Sequence, residues 1–179
     1  MLSILKACED QNYPAEVSLV LSNRPDAQGL VNAKERGIPT ETVDHKAFDT
    51  REDFENEIQS RLQNYNLNLI VLAGFMRILT ASFVEKWPEK IINIHPSLLP
   101  DYKGQNTHQR VLDDGKSETG CTVHYVTPDL DSGPTIAQAR IPVLDGDTVE
   151  TLSTRLLEHE HKIYPEAIRI IATSKSQIK

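Results

Sequence analysis

Residues 91–104, IINIHPSLLPDYKG, constrain the fold more than any other stretch of the chain. They begin as an apolar run with strand character, turn polar at Asn93 and His95, and then meet Pro96 and Pro100. Proline has no N–H for a ladder and its ring breaks a helix, so the run must leave its element there. Such a rigid exit delivers Asn93 and His95 to the carboxyl end of a strand, the edge at which open α/β sheets bind ligands. An amide donor beside a titratable imidazole suits a reaction that develops an oxyanion. The natural third member is Asp131, in the later turn DLDSGP. Asn93, His95 and Asp131 form the candidate catalytic trio, although spacing alone does not separate them from an ordinary histidine at a strand end and a solvated acidic turn.

The rest of the chain supplies the layers that this strand needs. Leu2, Leu5 and Cys8 recur at helical spacing with Ile4 beside them, which predicts an opening helix over 2–10. A short strand over 16–21 follows, then a helix over 28–36 closed by Gly37, and a brief strand over 40–43. Asp49 or Thr50 caps a helix whose Phe54, Ile58 and Leu62 repeat every four residues. Residues 67–72, LNLIVL, read as a central parallel strand covered by helices. After a short helix over 81–87 and the strand from Ile91, Asn106 or Thr107 starts a helix ended by Gly115. Alternation over 121–128 and 135–143 predicts two strands around the acidic loop, and 174–179 reads as a frayed end. Between them lies one long helix, capped by Asp147 or Thr148, which Pro165 kinks or splits. The sum is an α/β chain with a mostly parallel, twisted sheet and helices on both faces, organised as a single domain over 1–179.

Several stretches together resemble the formyltransferase superfamily, and within it the glycinamide ribonucleotide transformylases of purine synthesis. The likeness rests on 91–104, on AGFMRILT at 73–80, on LDSGP at 130–134 and on EHKIYP at 160–165. It implies a Rossmann-like fold and formyl transfer from 10-formyltetrahydrofolate to the amine of glycinamide ribonucleotide. In that light Asn93, His95 and Asp131 are catalytic. Met76, Arg77, Ile78 and Leu79, with Asn93 and Asp131, border the folate, while Glu160 and Gly104 contact the nucleotide substrate. Family members commonly carry histidine where this chain has Asn106 and leucine where it has Gln105, whereas His108 matches. The resemblance also implies that the family's first strand and its glycine- and serine-rich phosphate loop are missing. The strands at 16–21 and 67–72 would then show backbone and apolar surface that the missing strand covers elsewhere.

Composition narrows the alternatives. The chain has 179 residues, 39% of them hydrophobic and 25% charged, and a net charge of −7, which disfavours a nucleic-acid backbone as main partner. Cys8 and Cys121 lack CxxC spacing and read as free thiols, and no apolar run approaches a membrane span, so the cytoplasm is the default. His159 and His161 lie two apart and diverge on a helix, so no metal is expected. A homodimer remains open. The competing readings are a methionyl-transfer-RNA formyltransferase domain, a formyltetrahydrofolate hydrolase, a folate-binding remnant with little activity, and a flavodoxin-like regulatory domain.

Overall fold

The computed structural model describes residues 1–176. Its helices are α1 Leu2–Ala7, α2 Gln28–Lys34, α3 Arg51–Leu62, α4 Ala81–Val84, α5 Thr107–Asp113 and α6 Val149–Ser176. Its strands are β1 Val20–Ser22, β2 Thr40–Thr42, β3 Ile70–Leu72, β4 Ile91–His95, β5 Glu118–Tyr125 and β6 Thr135–Pro142. β1 and β2 pair in parallel as a two-stranded sheet. The remaining strands form a second sheet in the order β3-β4-β5-β6, parallel between β3 and β4 and antiparallel beyond. This is the expected α/β architecture, with its parallel pairings in the first half of the chain.

Local chemistry accounts for the elements. The Thr50 hydroxyl accepts from the Asp53 N–H at 3.0 Å, and Glu52 and Asp53 place negative charge at the positive end of α3. Phe54, Ile58 and Leu62 are buried along one face, as their spacing predicts. Gly37 follows α2 with φ +70, a left-handed conformation that glycine adopts without strain. α6 runs through Pro165 without being split and continues to Ser176, so it does not fray at 174; the expectation for 177–179 lies outside the described residues.

Two apolar clusters hold the layers together. One joins α1, β4, β5, β6 and α6 through Ile92, Val123, Leu152 and Leu156, all fully buried. The other packs α3 against α4 and the start of β4 through Phe54, Ile58, Phe83 and Ile91. Tyr164 ties α6 to the second sheet: its hydroxyl lies 2.8 Å from the Leu72 carbonyl oxygen and 3.2 Å from that of Ile92. Deep burial holds this phenol well above its usual range.

The weaker predictions concern the first half. The strands expected over 16–21 and 67–72 form ladders of only three residues, and every residue of β1 and β3 is half-buried. β3 is therefore no covered central strand: among the described residues it pairs with β4 alone and leaves its other edge unpaired. Asn106 precedes α5 in a left-handed conformation, φ 56, and makes no side-chain cap.

Candidate functional site

β4 carries the site because its two faces alternate. Ile92 and Ile94 turn one way, Asn93 and His95 the other, and Pro96 ends the strand. His95 is 6% exposed, and its ring faces an acceptor at each nitrogen. Nδ1 lies 3.3 Å from Asp131 Oδ2, and Nε2 lies 2.9 Å from the Tyr102 carbonyl oxygen. A carbonyl only accepts, so Nε2 carries a proton.

Asp131 arrives from the β5–β6 loop with φ 47. Gly133 makes the loop possible, since a Cβ there would lie 1.9 Å from the Tyr125 carbonyl oxygen. The Gly104 N–H donates to Asp131 Oδ2 at 2.9 Å, and Lys103 Nζ donates to Ser132 Oγ at 2.6 Å. The β4 exit and the acidic loop are thus fastened to each other on both sides of the carboxylate.

His124 faces the other carboxylate oxygen. The β5–β6 register shifts between Val123 and His124, and the His124 Nε2 lies 3.8 Å from Asp131 Oδ1, buried and without a hydrogen bond. Its Nδ1 donates to the Tyr125 carbonyl at 2.8 Å, which leaves Nε2 bare in the neutral ring. Burial lowers the His124 pKa, outweighing the Tyr125 hydrogen bond and the Asp131 charge that favour protonation. His108 on α5 is lowered as well, first by burial and then by the charge of His95.

The predicted site residues separate into two groups. His95 and Asp131 come together, and the Gly104 N–H joins them at the carboxylate. Asn93 is on the same face of β4, next to Leu72 and His124 in register, and its carboxamide makes no hydrogen bond among the described residues. Met76 and Ile78 project outward, 84% and 56% exposed, and Leu130 beside Asp131 is 50% exposed. Leu79 instead packs on the second cluster, and the Arg77 guanidinium lies 5.5 Å from the centre of the Phe54 ring. The Arg77 side chain therefore faces α3 and not the solvent side where Met76 and Ile78 project. Glu160 is half-buried on α6; burial raises its pKa, partly offset by the positive amino group of Met1. Sequence reasoning missed the Tyr102 carbonyl and did not single out His124. The alternation of CTVHYV was the available signal for His124, since it sets that residue on one face with Thr122.

The arrangement offers a buried imidazole and carboxylate, a free carboxamide and an exposed apolar rim. Among the described residues no group of three or more histidine, cysteine, aspartate or glutamate side chains is placed to hold a metal ion.

The Formyl transferase family model matches residues 1–168. The chain is 42% identical over 173 residues to phosphoribosylglycinamide formyltransferase of Escherichia coli (strain K12), covering 97% of this chain and 82% of that one. It is 48% identical over 164 residues to the trifunctional purine biosynthetic protein adenosine-3 of Gallus gallus. That match covers 92% of this chain but only 16% of the relative, so the chain spans about one-sixth of such proteins. The crystal structure of glycinamide ribonucleotide transformylase 1 from Symbiobacterium toebii superposes with a TM-score of 0.92 at 44% identity, over 96% of this chain and 81% of that one.

Proposed function

The chain belongs to the formyl transferase family, and from that premise we propose that it transfers a formyl group from 10-formyltetrahydrofolate to the amine of glycinamide ribonucleotide. The observation that carries this reading is the buried His95–Asp131 pair at the exit of β4, beside an apolar rim left in solvent. Relatives of which the chain covers 82% and 81% bear that activity in their names, which supports the reading.

The residues divide the work by chemistry. The Asn93 carboxamide, unengaged among the described residues, donates to the oxygen that gains negative charge as the amine adds to the formyl carbon. His95 donates a second hydrogen bond there, through the Nε2–H that now faces Tyr102, once that contact is exchanged for substrate. Asp131 holds the Nδ1 side of the ring and assists movement of the proton from the attacking nitrogen to the departing folate nitrogen. Oriented donors of this kind contribute about 10²–10³ in rate each. No step in this scheme calls for a metal.

The apolar rim suits the flat pteridine. Met76, Ile78 and Leu130 offer large side chains to solvent, and Leu79 backs them from the core. Arg77 contributes to that pocket through its backbone, its side chain being turned to Phe54. Gly104 meets the nucleotide through its carbonyl, since its N–H is engaged, and Glu160 takes a ribose hydroxyl. The enzyme of this reading works in the cytoplasm as a single domain on small molecules, alone or as a homodimer; no helix among the described residues is long and apolar enough to cross a membrane.

An absorbance assay for tetrahydrofolate release tests the reading. Release that depends on added glycinamide ribonucleotide is the expected result. Release of free formate without an acceptor would make the chain a hydrolase, formylation of methionyl-transfer RNA would place it in the other branch, and folate binding without turnover would leave a binding protein.

A further inference from the structure

Three polar side chains line up across adjacent strands where β4 ends. His95 is in register with Thr122, and Thr122 with Gln138. Thr122 is fully buried, and its hydroxyl uses its whole capacity. It donates to the Ser97 carbonyl at 2.7 Å and accepts from the Leu99 N–H at 3.1 Å and from Gln138 Nε2 at 2.9 Å. The other Nε2 hydrogen of Gln138 goes to the Leu99 carbonyl at 2.9 Å. Ser97 Oγ donates in turn to the Asp101 carbonyl at 2.6 Å. The turn at 97–101 is therefore pinned at both polar groups of Leu99 and at the carbonyls of Ser97 and Asp101. It leads straight into Tyr102, whose carbonyl meets His95 Nε2.

We propose that Thr122 and Gln138 are positioning residues for His95, acting through this turn and through the Tyr102 carbonyl. Neither is hydrogen-bonded to His95 or Asp131. A need for packing alone does not account for them. Valine would fill the buried space at 122, and Gln138 is an exposed residue of the outer strand β6, where its side chain adds nothing to the core. What the two share is the backbone of the turn. Through it they decide where the Tyr102 carbonyl stands, and so how the imidazole is oriented before substrate arrives.

The kinetic part of the test rests on the formyl-transfer reading, and the spectroscopic part does not. Thr122→Val, Thr122→Ser and Gln138→Leu are prepared in the full chain. For each, kcat and KM for 10-formyltetrahydrofolate are measured, together with the imidazole N–H signals of His95 by ¹⁵N NMR in the ligand-free protein. Thr122→Val and Gln138→Leu are expected to lower kcat about 10- to 100-fold, as misplacement of a reacting group does, with KM within about twofold. Both should lose the hydrogen-bonded Nε2–H signal. Thr122→Ser, which keeps the hydroxyl, should retain the signal and stay within about threefold of the parent kcat. Because their contacts meet at one hydroxyl, Thr122→Val with Gln138→Leu should be hardly worse than Thr122→Val alone. Gln138→Leu with parental kcat and an unchanged His95 signal overturns the proposal, and it decides the matter even if Thr122→Val does not fold. If the parent chain transfers no formyl group, the proposed function fails while the His95 signal still tests the positioning.

Discussion

β1 and β5 are strands of one small chain, yet they are built to different standards. β1 has three residues, all half-buried, and among the described residues pairs only with β2. β5 has eight residues, six buried in succession, with a partner on each side. The proposed catalytic pair belongs to the second kind: His95 ends β4, which β5 flanks, and Asp131 sits in the loop that β5 opens. The apolar rim follows β3, a strand of the first kind. Catalytic groups need positions good to a fraction of an ångström, whereas a face that receives a flat ring tolerates movement.

Core truncation should divide the two regions most sharply. Leu156 is fully buried beneath the second sheet, so Leu156→Ala should cost about 2–5 kcal/mol. Leu21 in β1 is only half-buried, and Leu21→Ala should cost about 1 kcal/mol. Urea unfolding measures both, and equal costs would break the comparison.

Function should divide them next. Asn93→Ala should reduce turnover about 10²–10³-fold while folate affinity stays within about twofold. Ile78→Ser on the rim should do the reverse, raising KM for the folate about fivefold with kcat and unfolding unchanged. A matching fall in kcat would place Ile78 with the catalytic group and erase the distinction.

The smallest effect is on pH dependence. His124 and His108 have lowered pKa values, so below about 6.5 the unfolded chain binds protons that the folded one refuses. Their contribution is complete above that pH and is lost as pH falls through the window. Glu160 is raised, so its contribution is present at low pH and is lost as pH rises from its ordinary value of 4.5 through its folded one. Thermal midpoints taken from pH 5 to 8 should fall on the acid side, and His124→Gln should flatten that fall. An unchanged slope in the variant would remove His124 as a cause.

The same contrast governs what could be read from the sequence. α3 was legible because Thr50 and the Phe54, Ile58, Leu62 repeat are local signals. The strands over 16–21 and 67–72 were read as longer than the three-residue ladders they form, because apolar content reports propensity whereas ladder length depends on partners on both edges. His95 was legible in the proline-ended exit of its strand, whereas the family motif was needed to set Asp131 apart from a solvated turn, and no spacing would have joined residues 36 positions apart. The Tyr102 carbonyl, the Gly104 N–H and the inward turn of Arg77 are backbone or packing features that no side-chain pattern announces.

The most direct test of the account is Asp131→Asn, which keeps the shape of the side chain and removes its charge. Turnover and folate affinity would be measured on the same sample. The account predicts turnover at least about 100-fold lower with affinity within about twofold, since Asp131 acts on the reacting groups and the rim holds the folate. Turnover close to that of the parent chain would contradict it, and so would an equal loss of both.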